Sequence, residues 1–164
     1  MTIVLVTGMS GTGKSAVLHE LARRGHRVVD TDSDAWCEWV VDEDGSPDWV
    51  WREDRIAALL AAHTEGVLYV SGCRTNQGRF YGDVDAVVVL VAPAEVLLER
   101  IARRDTNDYG KSRAERELVL RHLAEVEPRL VASATAVLDA TMPLDAVAAA
   151  LESIARDAAR REHP

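Results

Sequence analysis

The chain has 164 residues, enough for one domain with a substantial core and too few for two. Hydrophobic residues make up 48% of it, which excludes a disordered chain, and a net charge of −8 makes it a poor ligand for nucleic acid or an anionic membrane. No apolar run reaches the ~18 residues of a membrane span, the N-terminus reads as a strand rather than a signal peptide, and Cys37 and Cys73 have no metal or disulfide-framework spacing.

The first predicted element is a strand, Ile3 to Val6, that breaks at Gly8. The segment Gly-Met-Ser-Gly-Thr-Gly-Lys-Ser puts Gly8, Gly13, Lys14 and Ser15 in the fixed positions of the GxxxxGK[ST] phosphate loop. Gly8, Gly11 and Gly13 let the backbone turn tightly enough to point successive N–H groups at phosphate oxygens. Lys14 adds a mobile charge for the β- and γ-phosphates, the Ser15 hydroxyl suits Mg²⁺, and the next helix aims its positive end at the same anion. A glycine-rich turn between strand and helix would need no Lys-Ser in this register. The expected ligand is therefore a nucleoside triphosphate with Mg²⁺, held by Gly8, Met9, Ser10, Gly11, Thr12, Gly13, Lys14 and Ser15.

Ser15 to Arg24 reads as a helix, with Val17, Leu18 and Leu21 at helical spacing and Gly25 as its stop. A short second strand, His26 to Val29, runs into Asp30-Thr-Asp32-Ser-Asp34 at the sheet edge where open parallel sheets bind ligands. Asp34 to Val41 is predicted helical, Asp42 to Asp48 a turn, and Trp49 to His63 a second helix, so the acceptor-side region over 33–64 is expected to be two helices. Further strands are expected at Val67 to Val70, Ala86 to Val91 and Ala136 to Leu138. Helices are expected from Pro93 to Arg104, from Arg113 to Val126, from Pro128 onward as a separate short piece, and from Pro143 to Arg160. Strands alternating with helices predict a single α/β domain over 1–164, a three-layer α/β/α sandwich on a five-stranded parallel sheet.

Phosphate loops occur in GTPases, large ATPases and small-molecule kinases. The Asn-Lys-x-Asp segment that reads guanine is missing, and the core strand Val87 to Val91 runs into Ala92-Pro93 without the carboxylate large ATPases place there. The strand that does end in acid is Val28-Val29-Asp30, sixteen residues after Lys14. With GMSGTGKS followed by VVDTD, the chain resembles the shikimate kinase and gluconate kinase branch of the nucleoside monophosphate kinase-like superfamily, over most of its length. The resemblance implies an ATP-dependent kinase in which Asp30 supports Mg²⁺ and Asp32 holds the acceptor hydroxyl. WREDR, Trp51 to Arg55, is similar to the segment that clamps the acceptor's carboxylate, implying Arg52. RIARRDTNDYGKSR implies a mobile lid over 103–113 that delivers Arg103 and Arg104, and EPRLVASATAVLDAT implies a further substrate arginine, Arg129. The chain departs from the shikimate kinase pattern where the third strand ends: Ser71-Gly72-Cys73-Arg74 replaces a run of three glycines.

Gly72 and Arg74, with Asn76 and Gln77 behind them, face the same sheet edge and are candidates for reading the acceptor, although a surface loop explains them equally well. All four tryptophans, Trp36, Trp39, Trp49 and Trp51, fall within 36–51. They are read either as packing between two helices or as an aromatic wall for the acceptor, with Trp36 the candidate contact. Asp30, Asp32 and Asp34 also have the composition of a helix N-cap cluster, a role that suits Asp34 or Ser33, whereas the place of Asp30 and Asp32 at the sheet edge beside the phosphate loop favours function. The expected partner is a small, anionic acceptor, and the expected protein is a cytoplasmic monomer or homodimer. The other reading is a nucleotide-binding regulatory or chaperone-like ATPase without an acceptor.

Overall fold

The computed structural model describes residues 1–105 and 108–161. Five parallel strands form its sheet: β1 (Thr2–Gly8), β2 (Arg27–Asp30), β5 (Val67–Ser71), β6 (Ala86–Val91) and β7 (Ala136–Asp139), in the order β2-β5-β1-β6-β7. A two-stranded hairpin, β3 (Cys37–Val41) and β4 (Pro47–Trp51), is hydrogen-bonded separately from that sheet. The helices are α1 (Lys14–Arg23), α2 (Glu53–Ala61), α3 (Ala94–Arg103), α4 (Arg113–Ala132) and α5 (Leu144–Arg161).

β1 occupies the centre of the sheet, and all seven of its residues are buried. Its aliphatic run makes sense there, because a strand covered on both faces has no use for alternation with polar residues. Successive side chains still serve opposite layers. Val4 and Val6 join Val17, Leu18 and Leu21 of α1 and Ala148, Leu151 and Ala155 of α5 on one face. Ile3 and Leu5 join Ile56, Leu59 and Leu60 of α2, Phe80 and Trp51 on the other. The expected five-stranded α/β/α architecture is what the chain adopts.

The acceptor-side expectations fail. Asp34 to Val41 is not a helix: a single turn, closed by Cys37 N donating to Ser33 O at 2.9 Å, leads into β3. Trp49 to Trp51 belongs to β4, so the second helix begins only at Glu53. The hairpin pairs Cys37 with Trp51, Trp39 with Trp49 and Val41 with Pro47. Residues rich in Trp and Val favour extended backbone, and the Asp-Gly turn between them is a hairpin signal that the helical spacing of Trp36 and Trp39 obscured. Asp42 Oδ1 accepts from Asp44 N and Ser46 N to close that turn, with Gly45 at φ +80°. The acceptor-side region is thus a hairpin followed by one helix. The predicted break at Pro128 is also absent, since α4 runs through it to Ala132.

Trp51 fastens the hairpin to the sheet. Its ring is buried, stacks edge-on to Phe80 at 5.8 Å, and its Nε1–H donates to Thr31 Oγ1 at 2.8 Å. Trp51→Ala should cost about 3–5 kcal/mol, as expected for emptying a buried aromatic site, read as a lower urea midpoint with an unchanged slope.

Candidate active site

The loop between β1 and α1 has the conformation its glycines predict. Gly8, Gly11 and Gly13 have φ of +148°, +85° and +86°. A Cβ on Gly8 would stand 2.6 Å from Leu90 O, and one on Gly11 would stand 2.8 Å from Leu97 O. Two of the three glycines therefore let the loop lie directly against β6 and α3. The Thr12 hydroxyl donates to Met9 O at 2.8 Å and pins the loop across its base. Lys14 Nζ reaches back over the loop, donating to Gly8 O at 2.6 Å and Met9 O at 3.1 Å. Burial pulls the Lys14 ammonium below its ordinary pKa, opposed by the negative fields of Cys73, Asp32 and Asp30 and reinforced by Arg74.

Around this cation the sheet edge brings together residues far apart in sequence. Ser15 Oγ donates to Asp30 Oδ2 at 2.7 Å, joining the first residues of α1 to the end of β2. Asp30 Oδ1 accepts from Asp32 N at 3.1 Å and so shapes the chain that carries the second aspartate. The Asp32 carboxylate is ion-paired to Arg74 Nη2 from the loop after β5. Lys14, Ser15, Asp30, Asp32 and Arg74 thus form one polar cluster at the carboxyl edge of the sheet. Ser15 and Asp30 supply exposed hard-oxygen donors beside the phosphate loop, a set that fits Mg²⁺.

The Arg74 loop is held from two sides. Gln77 Oε1 accepts from Arg74 N at 3.0 Å and lies within 3.2 Å of Thr7 Oγ1 on β1, tying the loop to the strand that carries the phosphate loop. Asn76 pairs with the edge of β4, accepting from Trp51 N and donating to Trp51 O, each at 3.0 Å. The sequence leaves both amides open between acceptor contacts and a plain loop; the structure gives them bracing roles.

Other expected site residues fall elsewhere. Gly72 is buried against the hairpin, where a Cβ would collide with Thr31 Oγ1 and stand 2.8 Å from the Trp51 ring. Trp36 is half-buried and packs with the Trp51 core. Arg52 is engaged at the base of the hairpin, donating to Asp34 O and Cys37 O at 3.1 Å and pairing with Glu38 at 3.1 Å. Arg129 lies exposed in the last turn of α4. Arg103 projects from α3 and pairs with Glu99, while Arg104 donates to Tyr109 O at 2.5 Å. None of these four arginines joins the Lys14 cluster through these contacts. Of the expected lid, Thr106 and Asn107 lie outside the described residues. Its described part is tied down by Glu115, which accepts from Gly110 N and Ser112 N at 3.2 Å, and Gly110 is seated on Ile101.

The arginine that reaches the phosphate loop is one turn earlier, and sequence reading missed it. Arg100 Nη2 donates to Ala140 O at 2.7 Å, and its Nη1 lies 3.4 Å from Gly11 O. With Thr12, Ala16, Val17, Leu90, Met142 and Val147 it lines a cavity of about 280 Å³ beside the loop. Its signal was the helical spacing from Leu97, which also packs on the loop.

A family model described as an AAA domain matches residues 4–121, from the central strand into α4. The chain belongs to that AAA domain family. No curated protein matches it. Among solved structures, a shikimate kinase from Acinetobacter baumannii in complex with shikimate aligns with a TM-score of 0.64 at 20% identity, over 94% of this chain and 92% of that one. A gluconokinase from Sinorhizobium meliloti aligns at 0.62 and 22%, over 99% and 98%. A shikimate kinase from Bacteroides thetaiotaomicron aligns at 0.67 and 17%, over 93% and 97%. The AAA domain member thus has the fold of small-molecule kinases, as the resemblance in its motifs implied.

Removing the Lys14 charge tests the loop. Burial disfavours the ammonium in the folded chain, so the penalty is fully present at neutral pH and fades as pH rises through the lowered folded-state pKa towards 10.5. Lys14→Met should melt no lower than the parent without nucleotide, and should lose the ATP-dependent rise in Tm seen by scanning fluorimetry.

Proposed function

We propose that this AAA domain protein is an ATP-dependent phosphotransferase that moves the γ-phosphoryl group of Mg-ATP to a hydroxyl or phosphate of a small anionic acceptor. The observation that carries the reading is Asp32, an exposed carboxylate held beside the phosphate-loop lysine by a neighbouring arginine. A protein that only bound or hydrolysed nucleotide would need Asp30 beside Ser15, but not a second carboxylate facing the loop with its own cation. The fold shared with shikimate kinases and gluconokinase supports the same conclusion.

In this reading the loop from Gly8 to Ser15 cradles the triphosphate, and Lys14 swings from the Gly8 and Met9 carbonyls to its β- and γ-oxygens. The cavity flanked by Arg100 and Met142 takes the nucleoside. Ser15 and Asp30 would hold Mg²⁺, which when bound would neutralise phosphate charge. Asp32 orients the acceptor oxygen towards the γ-phosphorus and receives its proton as the new bond forms. The hairpin tryptophans and Arg74 border the acceptor's side of the cleft. Arginines of the 103–113 segment, Arg103 and Arg104, come over the transferring group on closure, and Arg52 and Arg129 are the outer candidates for acceptor charge. The reading is of a cytoplasmic monomer or homodimer without a nucleic-acid or membrane partner, which the net charge of −8 supports; no described helix is long and apolar enough to cross a membrane.

A screen of ATP consumption against sugar acids, nucleosides, nucleoside monophosphates and antibiotic-like alcohols, with Lys14→Ala as the blank, names the acceptor class. On the acceptor found, Asp32→Asn should lower kcat by about 10²–10⁴-fold while leaving ATP affinity within about twofold. Full transfer activity in Asp32→Asn removes its assigned role, and tight ATP binding with silence across the panel returns weight to the regulatory ATPase.

A further inference from the structure

The Arg74–Asp32 pair occupies the carboxylate that the proposed chemistry needs. Resting on the kinase reading above, the geometry points to Arg74 as a switch: it holds Asp32 until the acceptor's own anionic group takes that place on the guanidinium.

The surroundings of Arg74 argue for this role. Its side chain is about one-fifth exposed, whereas that of Asp32 is 62% exposed, so the pair joins a fixed cation to a carboxylate open to the cleft. Its donors are incompletely used: Nη2 meets Asp32 and Nη1 donates to Cys73 O at 3.0 Å, but buried Nε has no partner. A buried guanidinium N–H without an acceptor is costly, and the oxygens of an anion arriving at that edge would satisfy it. Finally, Lys14 lies close enough to feel Arg74, Asp32 and Asp30 together. Two cations thus face two carboxylates, one of which, Asp30, is already engaged by Ser15. Any anion entering beside Arg74 competes with Asp32 for it, and Asp32 is then released towards the acceptor hydroxyl.

The consequence for substrate is specific. The acceptor carries a carboxylate or a phosphate near the hydroxyl it presents, close enough for Arg74 to hold the anion while Asp32 holds the oxygen. In transfer, the acceptor oxygen bonds to the γ-phosphorus, the β–γ bridging P–O bond breaks with its electron pair leaving on ADP, and the hydroxyl proton passes to Asp32. With no acceptor present, water in the same place would undergo the same displacement, giving inorganic phosphate. Arg74 on Asp32 suppresses that loss by keeping the carboxylate from orienting water.

The switch is tested without knowing the acceptor, by measuring ATP hydrolysis alone. Arg74→Met keeps the packed stem and removes the charge. It should raise acceptor-free hydrolysis by about fivefold or more, the lower end of ordinary coupling between two bound groups. Arg74→Lys should restore part of the suppression, and the exposed Arg79→Gln should behave as the parent. In the parent, sulfate or acetate should raise hydrolysis above a chloride control of equal ionic strength. Relief by sulfate marks a phosphate-bearing acceptor and relief by acetate a carboxylate-bearing one, with Arg74→Met indifferent to both. An ATP-dependent Tm shift retained in Arg74→Met shows that the fold and the nucleotide site survive. Unchanged or slower hydrolysis in that variant, or no relief by either anion, overturns the switch. Rapid hydrolysis by the parent with no anion present instead overturns the kinase reading itself.

Discussion

The site depends on how closely a loop of backbone can lie against a sheet. Gly8 faces Leu90 O and Gly11 faces Leu97 O at distances no side chain permits, and both have positive φ. That contact sets the height of the whole phosphate loop over β6 and α3. It fixes where Lys14 emerges, and therefore which sheet edge its charge governs. It also gives Arg100 a fixed backbone carbonyl, Gly11 O, to approach from α3. A bulkier residue at either glycine would lift the loop and undo the arrangement even if Lys14 and Ser15 remained.

Those parts of the fold that depend on local chemistry were legible in the sequence, and those that depend on tertiary pairing were not. The aliphatic runs of β1 and β6 can be nothing but buried strands, and the spacing from Gly8 to Ser15 admits one loop. Asp30 and Asp32 are legible from their place at a strand's carboxyl end. The Trp-rich segment misled because Trp36 and Trp39 match helical spacing over a window too short to discriminate, whereas the pairing of Trp39 with Trp49 and of Cys37 with Trp51 forms across ten residues or more. Pro128 was over-read in the same way: near the end of a long helix one missing N–H is absorbed. Arg100 was hidden because periodicity says which face of α3 is buried, but not which surface it meets.

The segment after β5 carries the chain's individuality. A glycine run there would give bare backbone. Here Gly72 keeps only the contact it must, against Thr31 and Trp51, and the chain then turns out an arginine. Gln77 anchors that turn to Thr7, one residue before the phosphate loop, and Asn76 anchors it to β4 of the hairpin. The phosphate-loop strand and the hairpin therefore meet in a few residues of loop. Both amides brace the loop that carries Arg74 towards Asp32.

That coupling bears on how a carboxylate can be catalytic without being wasteful. A base placed beside a bound triphosphate activates water as readily as substrate unless something holds it back. Closure of a lid excludes water only once the acceptor has arrived. In the proposed kinase, an ion pair built into the acceptor side would restrain the base at all other times, and its release would be coupled to the feature that distinguishes substrate from water, a negative charge. An ion pair whose carboxylate is open to solvent is partly screened, which suits this purpose: an incoming anion can replace the carboxylate. Asp32 is open to the cleft, whereas Gln77 holds the Arg74 backbone and Cys73 O holds its Nη1, so the carboxylate rather than the arginine is the free partner when the two separate.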